Sequence, residues 1–201
     1  MATRTAAKTS ARDRLLAAAD ELFYSEGVLS VGIDRVIERA GVAKASLYNS
    51  FGSKEALVCA YLDARRHRNM ARVERVLTRY RTPREKLLGV FDALGEQLTG
   101  PGYRGCAFQR ASAEAPEDSG IARETDAYRS WLRGLFASLA EEAGYADPEG
   151  LSRQLLLLWD GAGTSARLDR DPSASTTARA AAAALLAAAP VTTEPVVIET
   201  V

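Results

Sequence analysis

The chain has 201 residues, of which 47% are hydrophobic and 26% charged, with two cysteines and one histidine. That is enough for one compact domain or for a small domain joined to a larger one, and it excludes a disulfide-stapled framework or a multi-histidine metal centre. The formal net charge of zero conceals an asymmetry: residues 1–80 hold 14 Lys+Arg against 9 Asp+Glu, whereas 81–201 hold 12 against 17, the distribution of a nucleic-acid-binding head on a non-binding body.

The first residues are polar and lack the apolar core of a secretion signal. The one long apolar run, 180–189, is mostly alanine and too short to span a bilayer. Cys59 and Cys106 fit neither a disulfide nor a metal spacing, so the expected setting is a reduced cytoplasm without membrane contact, cofactor or metal. Abundant alanine and few β-branched residues predict helix throughout.

Residues 1–9 have no periodicity and are expected to form a disordered arm. A first helix starts near Ser10, with Ser10 and Asp13 in capping-box-like spacing. Leu15, Leu16, Ala19, Leu22 and Phe23 make its apolar face, and Gly27 stops it. A second helix runs over 33–40 and ends at Gly41; a short third covers 44–51. Ser53 caps a fourth that carries six arginines between 65 and 79 and is expected to reach about Arg81 with those arginines as a solvated face. Thr82-Pro83-Arg84-Glu85 is a capping box with proline at the first helical position. It opens a fifth helix over 83–98. A sixth is expected within 105–114, a seventh over 119–143, an eighth from Asp147-Pro148 to about Leu168, and a ninth from Asp171-Pro172 to about Ala189. The domain reading is an arm (1–9), a helix-turn-helix head (10–55), a connecting helix (56–82), a helical body (83–189) and a flexible tail (190–201).

Helices two and three with the intervening glycine make a helix-turn-helix whose short second element suits a B-DNA major groove. Lys44, Ala45, Ser46 and Asn49 fall on its outward face. A lysine can donate to guanine, an asparagine can pair bidentately with adenine, and an alanine methyl can touch thymine. The Tyr48 ring packs inward while its phenol can reach a phosphate. A cation at Lys54, in the first turn of the fourth helix, opposes the helix dipole, which points to an external anion such as a phosphate.

The run from Gly32 to Leu57 resembles the DNA-binding domain of the TetR family of bacterial transcriptional repressors. The resemblance is carried by Ala40-Gly41-Val42, Leu47-Tyr48, Phe51 and Ser53-Lys54, with Glu21-Leu22-Phe23 and Gly27 upstream. It implies an all-α fold: a three-helix DNA-binding domain joined by a long helix to a C-terminal ligand-binding and dimerisation domain. It further implies a homodimer that binds a palindromic double-stranded DNA operator, represses transcription and is released by a small-molecule effector. Its lysine matching Lys54 contacts the DNA backbone. Gly32 stands where many members have threonine, leaving Ser30 or the Gly32 backbone to meet phosphate. The body resembles the family only in helix count and lengths.

A recognition helix of this length reads few base pairs, so two copies are expected. Leu151, Leu155, Leu158 and Ala162 on the eighth helix and Ala181, Ala184, Leu185 and Ala188 on the ninth form the expected dimer stripes. Phe91, Leu94, Tyr103, Phe108, Tyr128, Trp131 and Trp159 are the expected apolar pocket lining, with Gln109 as a polar group. Three alternatives stand beside this reading. Catalysis has little support, because no nucleophile is placed beside His67 and Gly161-Ala162-Gly163 is no dinucleotide loop. A thiol sensor would use Cys106, which has Arg104 and Arg110 nearby. The last is an all-helical module that does not bind DNA.

Overall fold

The structure, a computed structural model, describes residues 10–192. Among these lie nine helices: α1 (Ala11–Glu26), α2 (Ile33–Ala40), α3 (Lys44–Phe51), α4 (Lys54–Leu77), α5 (Pro83–Leu98), α6 (Ala107–Ser112), α7 (Gly120–Glu142), α8 (Pro148–Leu168) and α9 (Ala174–Ala188). The arm 1–9 and residues 193–201 lie outside the described residues. Pro190–Thr192, expected to begin a loose tail, are instead tied down. Ala146 N–H donates to Pro190 O at 2.9 Å, Thr192 N–H donates to Gly144 O at 2.7 Å, and Val191 forms a bridge with Tyr145.

Local chemistry sets the boundaries. Ser10 Oγ accepts from Asp13 N–H, and the Thr82–Glu85 capping box is complete in both directions. Helix α4 stops at Leu77 rather than near Arg81. Arg79 N–H and Tyr80 N–H turn to carbonyls three residues back, and Thr82 must be extended (φ −97°, ψ 151°) to precede proline. Helix α6 is shorter than expected because Gly105 has φ +96° and cannot join it.

The chain forms two compact units: residues up to Arg68 with Cys106–Tyr128, and Asn69–Gly105 with Arg129 onward. Neither is a contiguous stretch, so α6 and the start of α7 pack with the head. In this first unit Leu15, Leu22, Phe23, Val36, Leu47, Leu57 and Tyr61 are buried, with Phe23 edge-on to Tyr61 at 5.7 Å. The arginines of α4, expected to be solvated, are mostly engaged. Arg65 and Arg68 both bind Asp20, Arg65 lies over the Tyr24 ring at 3.5 Å, and Arg66 binds Asp63.

The second unit has a continuous apolar core drawn from α5, α7, α8, α9 and the end of α4, with α9 packed on α5 and α8. Arg72 and Arg75 near the end of α4 bind Gln97 and Glu96, and Arg79 just beyond the helix also pairs with Glu96. Three expected pocket residues belong to this core: Phe91, Leu94 and Trp159 are buried, with Phe91 against Phe136 at 5.9 Å and Trp159 at 6.4 Å. Phe108 and Tyr128 fall in the other unit, buried and stacked on each other at 4.1 Å; Gln109 is exposed. Tyr103 is half-buried and donates its hydroxyl to Gly163 O. The eight expected lining residues therefore do not enclose one cavity within either unit. Of them, only Trp131 lines the groove of about 510 Å³ in the second unit, where it meets Met70, Val73, Leu77, Leu135 and Leu139 beneath a rim of Glu74, Lys86 and Glu142.

The expected dimer stripe on α8 also turns out to be partly internal. Leu151, Leu155 and Ala162 are buried within the chain's own core, and Leu158 is half-buried. The outward stripe lies one step round the helix, where Leu157 and Leu168 are 71% and 72% exposed, with Gly161 and Ser165 between them. On α9, Ala181, Ala184 and Ala188 are exposed and Leu185 is half-buried.

Candidate nucleic-acid interface

The interface rests on a turn that glycine makes possible. Gly41 ends α2 in the left-handed conformation (φ +61°, ψ +46°), and its N–H closes the helix onto Glu38 O and Ile37 O. Arg14 on α1 donates to Gly41 O at 3.2 Å and holds the turn from behind. Ala43 then starts α3 without a side-chain cap, and Gly52 ends it at φ +78°. Of the eight α3 residues only Leu47 is fully buried. One anchor on one side leaves the opposite side free.

That opposite side carries three of the residues expected to face outward, together with Tyr48, whose ring was expected to pack inward but is 46% exposed. Lys44, Ala45, Tyr48 and Asn49 are exposed and fall at i, i+1, i+4 and i+5, one strip of an α-helix, while Ser46 is half-buried. Ser30 and Gly32 are exposed ahead of α2, and Gly32 caps that helix with backbone alone. Lys54 is half-buried in the first turn of α4, where Ser53 Oγ accepts from Ala56 N–H; Lys54 makes no ion pair among the described residues. Arg12 lies over the Phe51 ring at 5.1 Å, so this cation packs on the head.

Sequence reasoning missed the charge partners. Arg35 pairs with Glu26 at 2.6 Å and Arg39 with Glu21 at 2.6 Å. The Arg35 hydrogen bond holds the Glu26 carboxyl below its ordinary range. Lys44 Nζ sits 3.0 Å from Asp34 Oδ1 on α2, and this bond raises the lysine above its usual value. No sequence spacing signals these pairs, because each joins different elements. The fastening of α6 and α7 within the head unit was also missed. Arg110 donates to Tyr24 O at 2.6 Å, Leu29 N–H to Glu114 at 3.2 Å, and Gly120 N–H to Glu55 at 2.7 Å.

The thiols offer less. Cys106 is half-buried ahead of the six-residue α6, and burial pushes the half-buried Cys59 thiol up, with Glu124 adding to the shift. Among the described residues no cluster of His, Cys, Asp and Glu is arranged to hold a metal ion, and no helix is long and apolar enough to cross a membrane.

A short recognition helix with one buried anchor, an outward polar strip and a glycine turn behind it defines a helix-turn-helix DNA-binding protein. Residues 15–61 match the family described as bacterial regulatory proteins, tetR family. A TetR-family transcriptional regulator from Streptomyces coelicolor is 32% identical, with 88% of this chain and 94% of that one superposed at a TM-score of 0.83. The chain belongs to the TetR family of transcriptional regulators. It is also similar to the transcriptional repressor NemR of Escherichia coli, 28% identical over 79% of this chain and 85% of NemR. Curated HTH-type regulators of Mycobacterium tuberculosis are 40% identical over 65 residues, and the matched stretch spans only about a third (30%) of their length.

Proposed function

We propose that the chain is a ligand-responsive repressor that binds a palindromic DNA operator as a homodimer and is released by a small molecule. The exposed strip of α3 carries this reading. Lys44 suits guanine, Asn49 adenine and Ala45 a thymine methyl, while Tyr48, Lys54, Ser30 and the Gly32 backbone suit phosphates. The strip with Leu157 and Leu168 on α8, beside the exposed alanines of α9, is the dimer surface; the small residues permit close helix approach, with the two exposed leucines as its apolar anchors. The groove beside Trp131 is the effector site. Both helices that wall it, α4 and α7, run on into the head unit, where Glu55 of α4 accepts from Gly120 N–H at the start of α7 and Glu114 accepts from Leu29 N–H in the loop between α1 and α2. An effector acts only through a difference in its affinity for the DNA-competent and released states.

Purified protein should recover palindromic fragments from genomic DNA and run as a dimer in solution, with affinity falling steeply as salt rises. Lys54→Ala should weaken binding to all duplexes about equally, and Asn49→Ala should relax choice at one base step. A monomer indifferent to duplex DNA at low ionic strength would falsify the reading.

A further inference from the structure

The groove beside Trp131 and the end of the described chain meet at one place. Along α7 the groove runs from Glu142 back through Leu139 and Leu135 to Trp131. Just beyond Glu142, Gly144 O accepts from Thr192 N–H at 2.7 Å, and Ala146 N–H donates to Pro190 O at 2.9 Å. The pairing is antiparallel, with Val191 bridged to Tyr145. As the chain advances from 190 to 192 it therefore passes from Ala146 to Gly144, towards the end of α7 that carries Glu142. The residues that follow are delivered to the mouth of the groove, and tie and groove belong to the same compact unit.

What arrives there is apolar. The sequence continues Thr193-Glu194-Pro195-Val196-Val197-Ile198-Glu199, with three β-branched apolar side chains in a row. The reach is sufficient. From Glu142 to Trp131 the helix rises about 16 Å, and the six residues 193–198 span up to about 20 Å when extended. In an extended segment Val196 and Ile198 share one side. Charge is the smaller influence: on the rim Lys86 favours the acidic flanks of this run, while Glu74 and Glu142 oppose them. The apolar walls decide. A tethered segment also needs little affinity of its own, because its effective concentration is on the order of millimolar.

We infer that residues 193–198 dock in the groove beside Trp131, with Val196 and Ile198 on its apolar walls, as the chain's own competitor for the effector. The competition rests on the effector reading above; the docking does not. An incoming molecule must displace the segment, so its apparent affinity falls with the fraction of time the groove is open.

Acrylamide quenching of tryptophan fluorescence reads the docking directly. Of the two tryptophans, Trp159 is only 6% exposed, whereas the half-buried Trp131 lines the groove. A chain ending at Thr192, which keeps the tie to Gly144, should be quenched more strongly than the full chain. Ile198→Asp in the full chain should reproduce the rise. A peptide of residues 193–201 should reverse it on the shortened chain at about millimolar concentration. The apolar dye anilinonaphthalene sulfonate should bind the shortened chain about tenfold more tightly, the factor expected where the segment fills the groove about 90% of the time. Melting curves on both altered chains separate docking from a folding effect. Quenching that ignores the truncation, or a rise that Ile198→Asp does not reproduce, overturns the inference. So does shielding of Trp131 that grows with protein concentration and survives truncation, because a second copy then covers the groove. Protein that passes these tests yet binds no palindromic duplex overturns the regulator reading instead, so the two failures are distinct.

Discussion

Helices α3 and α8 solve opposite problems. Helix α3 has eight residues, no side-chain cap and one fully buried residue, Leu47. Helix α8 has 21 residues, an Asp147 cap, proline at its start and seven buried residues on its inner face. The first is a surface held in place by its neighbours, and the second is a wall that carries its own stability. A helix that depends on others leaves most of its surface open, which suits the recognition role proposed for α3.

The sharpest way to break this contrast is to remove one leucine from each. Leu47 and Leu155 are both fully buried, and truncation of either to alanine should cost ~2–5 kcal/mol. The consequences should differ. Leu47→Ala leaves α3 without its anchor, so DNA binding should fall even well below the melting temperature. Leu155→Ala removes one of many contacts, so binding should persist until the protein melts. Denaturant titration and mobility shift on the same preparations measure both; equal losses of binding would remove the contrast.

A smaller effect probes α5, which packs against α8. A Cβ at Gly89 on α5 would lie 2.5 Å from the Tyr80 ring, and that ring is tethered by its hydroxyl to Asp92 at 2.6 Å. Gly89→Ala gains about 1 kcal/mol of helix propensity but forces an overpacked contact costing ~1–3 kcal/mol. Net destabilisation is expected. Tyr80 also lines the groove beside Trp131, so the same substitution should narrow it; a variant as stable as the parent would show that the ring moves freely.

The α5 capping box allows a pH test. Backbone N–H groups of Thr82 and Arg81, helped by the Thr82 hydroxyl, hold the Glu85 carboxyl below its usual range. A depressed folded-state value means that stability from this group is present above the unfolded-state glutamate range. It is lost as pH falls through the folded-state value. Glu85→Gln should flatten that part of the acid limb, read as melting temperature against pH. Thr82→Ala should cost about 1 kcal/mol at neutral pH. If Glu85→Gln leaves the acid limb unchanged, the box carries no such dependence.

How far the sequence could be read follows from the same contrast. The head is written largely in local signals: Ser10, Gly27, Gly41, Gly52 and Ser53 each stop or start a helix by their own chemistry, and Leu47 fixes most of the outward strip of so short a helix, although Tyr48, expected inward, is exposed and Ser46, expected outward, is half-buried. The α8 stripe had no such protection. With leucines at 151, 155, 156, 157 and 158, more than one phase satisfies helical periodicity, and only packing against α5 and α9 decides that Leu155 goes in and Leu157 stays out. The pocket residues were illegible for a related reason. Phe91, Phe108, Tyr128 and Trp159 have the composition of a pocket lining and of a core alike, and α6 packs with the head although its sequence follows α5. Ion pairs such as Lys44–Asp34 leave no periodic trace at all.

The smallest expected effect concerns the start of α2, which like that of α3 lacks a side-chain cap. Gly32 has φ −77° and ψ 157°, an ordinary extended conformation, and a Cβ there would meet nothing within 4 Å. The glycine is therefore not required by geometry. Gly32→Thr should stabilise α2 by a few tenths of a kcal/mol through capping, with about 0.4–1 kcal/mol more from a less flexible unfolded chain. If position 32 faces phosphate as proposed, the new hydroxyl should raise affinity for all duplexes slightly and uniformly, with no change in the preferred base sequence. A gain confined to one sequence would mean that position 32 reads bases. A loss would mean that the backbone at Gly32 already approaches phosphate too closely for any side chain.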